Sequence, residues 1–177
     1  MAESPERGIN APIATDELPR SENSAGRADR LVEAAESGDT DRIKELLDAG
    51  ANANSIGAEG DYPLLKASEQ GYVEIVRILL EHGADPNITK RFGITPLMAA
   101  CEFGHADVVK ILLEHGADVE ARNLNCGATP LIIASTLPPS DGDVKRIVRQ
   151  LLDRSAGVND RTNDRKSALF FACAEGV

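Results

Sequence analysis

The sequence contains few aromatic residues and few cysteines. Aromatic residues make up 3% of its 177 residues, tryptophan is absent and three cysteines occur. An odd number of cysteines without C-x-x-C spacing argues against a disulfide framework and a thiolate metal site, and favours a reducing, intracellular setting. We therefore expect no metal site and a cytoplasmic location, with the nucleus as an alternative.

Long apolar runs and an excess of positive charge are also missing. Residues 1–27 contain no apolar run long enough for a signal peptide, and no later stretch approaches the length of a membrane span, so we expect a soluble protein. The net charge of −10 disfavours nucleic acid, because nucleic-acid affinity depends on clustered lysine and arginine. A protein with a basic or neutral polar surface is a better expected partner, although such scattered acidity also fits an ordinary solubilising surface.

A 33-residue period is the dominant feature after residue 27. The pair Leu46-Leu47 recurs as Leu79-Leu80 and again as Leu112-Leu113, and several glycines keep the same interval. Such self-similarity predicts a stack of equivalent units. We predict a disordered segment at residues 1–27, a capping unit at 28–60, units at 61–93, 94–127 and 128–164, and a partial unit at 165–177.

Each unit reads as two short helices and a loop. In the third unit, Thr95-Pro96 predicts a helix start, because threonine caps free N–H groups and proline needs no N–H donor partner there. Gly104 ends that helix. The second helix carries two apolar pairs four residues apart, Val108-Val109 and Leu112-Leu113, which form a stripe on one side. Gly116 ends this helix in the left-handed conformation. Neither helix buries its apolar face alone, so neighbouring units must stack.

These residues resemble the ankyrin repeat. The third unit has Gly93-Ile94-Thr95-Pro96-Leu97 at its head, Gly104-His105 at its turn, and a segment from Val108 to Asp118 that ends in His-Gly-Ala-Asp. The resemblance implies an all-α solenoid of helix-turn-helix units with β-hairpin or loop fingers, here about four full repeats and a partial fifth. The chain departs from the family in lacking the usual histidine after Pro-Leu. It also carries five extra residues within 135–142, between the helices of the fourth unit.

No residue set in the sequence indicates catalysis, a cofactor or a metal. His82 and His115 are copies 33 residues apart beside a stop glycine, a position that suits the negative end of a helix rather than a catalytic site. Cys101 and Cys173 are predicted buried fillers of first helices. Cys126 lies in a finger, where it is either a reactive thiol or an ordinary exposed one. We expect that the protein is not an enzyme.

The resemblance implies a concave binding surface built from fingertips and first helices. It nominates one set of partner-binding positions: Asp61, Tyr62, Glu69, Gln70, Arg91, Phe92, Ile94, Glu102, Phe103, Asn125, Cys126 and Thr136. Phe92 and Phe103 are notable because the scaffold does not require an apolar residue at either position. They fit an apolar anchor ringed by polar contacts, and the alternative is that they fold against a neighbouring finger.

The function expected from the resemblance is a protein-interaction scaffold or adaptor. The sequence stops at Val177, after what reads as the first helix of a fifth unit. This predicts a fragment of a longer protein, or alternatively a shortened C-terminal cap. The second functional hypothesis is therefore an N-terminal regulatory or targeting segment of a larger enzyme, channel or effector.

Overall fold

The computed structural model describes residues 24–138 and 142–174, and within them the chain is built of short helices. The α-helices of this part are α1 Ser24–Ser37, α2 Thr40–Asp48, α3 Pro63–Gln70, α4 Val73–Glu81, α5 Pro96–Glu102, α6 Ala106–Glu114, α7 Pro130–Ala134, α8 Gly142–Asp153 and α9 Ala168–Ala174. A 3-10 helix covers Arg91–Gly93. Extended pairing in the described residues consists of two isolated antiparallel bridges, Lys90 with Ile94 and Arg161 with Ser167.

The helices form two parallel rows. The first-helix row contains α1, α3, α5, α7 and α9, and the second-helix row contains α2, α4, α6 and α8; each helix contacts its neighbours in its own row. Within each pair, from α1 and α2 to α7 and α8, the two helices also pack on each other. This arrangement confirms the predicted all-α solenoid. The boundaries and number of its repeats remain predictions.

The predicted helix starts depend on the capping threonines. The Thr95 hydroxyl accepts a hydrogen bond from the Met98 N–H at 3.2 Å, and proline follows it at the first helical position. Thr129 caps α7 in the same way. Tyr62 precedes Pro63 of α3 without a side-chain cap, so α3 relies more on packing than on a local signal.

The repeated leucines form the core. Leu46, Leu79, Leu112 and Leu151 are at most 1% exposed, so this position of the predicted stripe faces inward in each second helix. Leu152, the last residue of the stripe in α8, is 42% exposed. Glycine ends α4 and α6 with positive φ angles, and Ser155 takes the same left-handed conformation after α8, at φ 65°. The turn geometry is therefore kept even where the glycine is replaced.

A ladder of polar side chains joins successive turns. The Asn54 amide donates to the Gly83 carbonyl oxygen at 2.8 Å and accepts from the Asp85 N–H at 2.7 Å. Asn87 makes the same two bonds 33 residues later. Glu120 holds the next position and accepts one hydrogen bond from a backbone N–H. These bonds fix the spacing between neighbouring units on the side of the stop glycines.

Two predictions need correction. Helix α1 begins at Ser24, so residues 24–27 are ordered, and Arg27 extends the packing by donating to the Ala49 carbonyl oxygen at 3.4 Å. The rest of the predicted disordered segment, residues 1–23, lies outside the described residues. Cys173 is exposed rather than buried, because no described element packs over that side of α9. Among the helices of residues 24–138 and 142–174, none combines the length and apolarity needed to cross a bilayer.

Candidate functional site

The surface formed by the first-helix row and the loops preceding each first helix carries two grooves, and we call it the finger face. The C-terminal groove encloses about 330 Å³ among α5, α7, α9 and their loops. The N-terminal groove has a similar volume and lies between α1 and the loop before α3. The predicted binding positions can be assessed against these two grooves.

Four of the predicted positions meet in the C-terminal groove: Ile94, Glu102, Cys126 and Thr136. Residues that the sequence did not nominate complete its lining, and these are Asn123, Ala128, Ile132, Ile133, Thr162, Asp164, Lys166 and Phe171. The groove therefore combines an apolar floor with a polar rim. Such a combination suits an apolar side chain flanked by hydrogen-bonding groups.

The N-terminal groove is charged. Its lining includes four acidic residues that the sequence did not nominate, Asp29, Glu33, Glu36 and Glu59. The N-terminal groove is thus lined mainly by charged residues and the C-terminal groove mainly by apolar ones, although both belong to the finger face.

One repeated position links the missed residues of both grooves. It holds Glu33, Lys66, Ala99, Ile133 and Phe171 in successive first helices, and it changes from charged to apolar along the array. Ala99 is buried, whereas Ile133 and Phe171 are partly exposed and line the C-terminal groove. A comparison of this position across the repeats would have identified Ile133 and Phe171 from the sequence.

Asp61 was predicted to be a partner-binding residue of a finger, but the structure leaves almost none of it accessible. The residue is 4% exposed and forms ion pairs with Lys90 and, at 3.6 Å, with Lys66. Lys66 also lies 3.4 Å from carboxylate oxygens of Glu36 and Glu69. Burial alone would lower the pKa of the Lys66 ammonium, but the attraction of Glu69, Asp61 and Glu36 outweighs it and raises that pKa. Asp61 and Glu69 are therefore tied into a charge network within the scaffold.

Phe92 and Phe103 are exposed, at 55% and 57%, and are absent from the described lining of both grooves. The Arg91 guanidinium lies 4.8 Å from the centre of the Phe92 ring. Phe92 has a positive φ of 66°, and its carbonyl oxygen accepts a 2.7 Å hydrogen bond from the Leu124 N–H of the next finger. Phe103 stacks beside His105, with ring centres 6.4 Å apart.

The remaining predicted positions differ in exposure. Gln70 and Asn125 are exposed, and Tyr62 is half-buried. Cys126 is exposed, and its Sγ lies 3.2 Å from Asn123 Oδ1. None of these four residues lies in a cluster of side chains that would form an enclosed binding site.

The histidines and the buried cysteine have contacts within the scaffold. Nδ1 of His82 and Nδ1 of His115 each lie 2.8 Å from the carbonyl oxygen four residues earlier, at the helix ends predicted for them. His105 Nε2 lies 3.0 Å from the Glu69 carbonyl oxygen and joins neighbouring units. Burial raises the pKa of the Cys101 thiol. Within the described ranges, no group of three or more histidine, cysteine or acidic side chains is arranged to hold a metal ion.

Comparison with protein-family models finds a match over the first part of the array. A family model described as ankyrin repeats, in three copies, matches residues 31–123, slightly more than half of the chain. No curated protein matches the chain at a significant level.

Proposed function

Because this chain belongs to the ankyrin repeat family, we propose that it acts as an interaction scaffold or adaptor and binds a partner protein through its finger face. Ankyrin repeats generally serve as protein–protein interaction modules and are typically not enzymes. A rigid array supports this role, since a surface ordered before binding limits the entropy lost on association.

The observation that carries the proposal is the C-terminal groove. Its volume of about 330 Å³ lies within the range of sites that enclose a side chain or small ligand. Ile94, Ile133 and Phe171 supply apolar surface, while Glu102 and Lys166 stand at its rim. A partner segment with one large apolar side chain and flanking polar groups fits this arrangement.

The acidic N-terminal groove indicates which way a partner segment would run along the finger face. Asp29, Glu33, Glu36 and Glu59 give the N-terminal groove an acidic character, in a chain whose net charge is −10. Opposite charge on a partner speeds encounter and fixes register. The proposed partner segment is therefore basic where it lies on the N-terminal groove and apolar where it enters the C-terminal one.

The exposed aromatic residues extend the proposed contact area. Phe92 lies at a fingertip and Phe103 at the end of α5, and large exposed apolar side chains often anchor interfaces. We propose that both contact the partner, together with Arg91, Gln70 and Asn125. Asp61 is no longer part of this set.

Affinity capture with the full chain as bait and mass spectrometry of the bound proteins tests the proposal. Thr136→Arg fills the C-terminal groove from an exposed position, and Phe103→Ala removes an aromatic anchor. Phe103→Ala should weaken binding by about 1 to 3 kcal/mol, as interface truncations commonly do. Lys110→Glu changes an exposed side chain of the second-helix row and serves as the control.

The expected result is a protein retained by the wild type and by Lys110→Glu but lost with Thr136→Arg and reduced with Phe103→Ala. Thermal melts of all four proteins should agree closely. An identical set of captured proteins for every variant would refute binding through the finger face.

A further inference from the structure

Two large apolar side chains lie exposed at neighbouring fingertips in the middle of the array. Phe92 belongs to the loop before α5, and Leu124, in the loop before α7, is 77% exposed. The Leu124 N–H donates to the Phe92 carbonyl oxygen at 2.7 Å, and a Cβ atom at Gly93 would lie 3.0 Å from Leu124 Cγ. The two residues are therefore held side by side by the backbones of two fingers. We call them, together with Arg91, the fingertip patch.

The fingertip patch combines apolar surface with one accessible positive charge. Phe92 adopts a positive φ of 66°, which a bulky residue rarely does, and such backbone outliers concentrate at functional positions. The Arg91 guanidinium is exposed and lies over the Phe92 ring, whereas the neighbouring Lys90 is already paired with Asp61. The patch therefore suits a ligand in which apolar side chains stand next to a carboxylate.

The chain itself contains a segment with this chemistry. Residues 12–19 read Pro-Ile-Ala-Thr-Asp-Glu-Leu-Pro, so Ile13 and Leu18 stand on either side of the acidic pair Asp16-Glu17. This segment lies outside the described residues, ahead of α1. Its two large apolar residues match the two apolar residues of the patch, and its acidic pair matches Arg91 in charge.

The described part of the chain places this segment within reach of the fingertip patch. The loop before α3 lies against the first half of α1, because the Ala58 N–H donates to Asp29 Oδ1 at 2.6 Å; α1 therefore starts on the side of the fingers. Helices α1, α3 and α5 pack side by side, and two spacings between neighbouring helices amount to about 16 to 20 Å. Extended chain spans about 20 Å from Leu18 to Ser24 and about 36 Å from Ile13 to Ser24.

Other exposed apolar residues fit this segment less well. Ile56 lies on a closer finger, but residues 49–61 contain no basic residue. Phe103 follows Glu102 at the end of α5 that points away from the fingers. The exposed apolar residues after α7 lie at least three helix spacings from α1, or about 24 Å, which exceeds the reach of Leu18. The fingertip patch is therefore the surface that satisfies both charge and distance.

We propose that residues 12–19 dock on the fingertip patch of the same chain. The two large apolar residues of the segment cover Phe92 and Leu124, and its acidic pair lies beside Arg91. Burial of apolar surface supplies most of the affinity, and the tether to α1 raises the effective concentration of the segment. Docking covers Phe92, so a partner that uses Phe92 must first displace the segment. That consequence rests on the proposed function, whereas the docking itself does not.

Disulfide pairing with the native Cys126 tests this contact, because Cys126 is an exposed thiol two residues from Leu124. The test protein is the full chain with Thr15→Cys and with Cys173→Ser, which removes the other exposed thiol. Equilibration with reduced and oxidised glutathione gives the effective concentration of the two thiols. A free tether gives about 1 mM, and docking should raise this value at least about tenfold.

Variants of the fingertip patch should lower the effective concentration while the thermal melts stay alike. Leu124→Ser removes exposed apolar surface and should lower it about fivefold. Arg91→Glu should lower it about threefold, and Asp16→Lys combined with Glu17→Lys should restore pairing in that variant. Arg77→Glu makes the same charge change at an exposed position of α4 and should leave pairing unchanged.

Three results would overturn the proposal. The first is an effective concentration near 1 mM that neither patch variant changes. The second is equal pairing when the cysteine is placed outside the segment, at Ser4→Cys instead of Thr15→Cys. The third is a disulfide between two chains rather than within one, which would assign the patch to a second copy. Lost pairing with intact partner capture would refute the docking alone, so it is distinguishable from failure of the proposed function.

Discussion

Replacing Asp61 with alanine should destabilise the array rather than remove a surface contact. The Asp61 side chain is 6% exposed, and its partners Lys66 and Lys90 are 16% and 32% exposed. Breaking a buried ion pair by removing one partner costs about 3 to 5 kcal/mol, whereas an exposed pair contributes about 0 to 1 kcal/mol. Lys66 keeps Glu36 and Glu69 after the substitution, and Lys90 is partly exposed, so the loss should lie between these limits. We expect a loss of about 2 kcal/mol in the free energy of unfolding.

Urea denaturation followed by circular dichroism measures this loss, with Glu59→Ala as the matched control. Glu59 is an exposed carboxylate two residues away in the same loop, and its substitution should change the free energy of unfolding by less than about 0.5 kcal/mol. Partner capture by Asp61→Ala should remain normal at temperatures where the protein is folded. An unchanged unfolding midpoint together with lost capture would refute the assignment of Asp61 to the scaffold.

Two further predictions concern the turn ladder and the thiols. Asn87→Ala removes the bonds to the Gly116 carbonyl oxygen and the Asp118 N–H and should lower the free energy of unfolding by about 1 to 3 kcal/mol; an unchanged urea midpoint would contradict this. In the native protein, a thiol reagent should modify Cys126 and Cys173 quickly and Cys101 only on unfolding, because Cys101 is buried and its pKa is raised. Mass spectrometry measures the rate of modification at each cysteine, and equal rates at all three would show that Cys101 is not buried.

The fold was predictable because each unit repeats the same local signals. The leucine stripe specifies which side of each second helix is buried, and Thr95 with Pro96 specifies where α5 begins. These signals depend on residues a few positions apart, which sequence reading handles well. The boundary predicted at residue 27 followed composition alone, whereas α1 begins at Ser24 and Arg27 contacts the Ala49 carbonyl oxygen across the helix pair.

The site was less predictable because its properties arise between units. Asp61 has the sequence position of an exposed finger residue, and only the approach of Lys66 and Lys90 from other elements buries it. Ile133 and Phe171 were missed because each looks like an ordinary core residue within its own helix. Their partial exposure depends on how neighbouring first helices and loops are spaced, which no local pattern specifies.

The asparagine ladder also has a mechanical consequence. Each rung joins one turn only to the next, so a force pulling the two ends apart along the stack is carried by the rungs in series. The weakest rung then limits the strength of the whole array. Glu120 provides one bond at a position where Asn54 and Asn87 each provide two. At this junction Arg122 supplies the missing strength, because it donates to the Arg161 carbonyl oxygen at 3.0 Å and pairs with Asp160 at 2.6 Å. An arginine clasp thus takes over under tension where the asparagine is replaced.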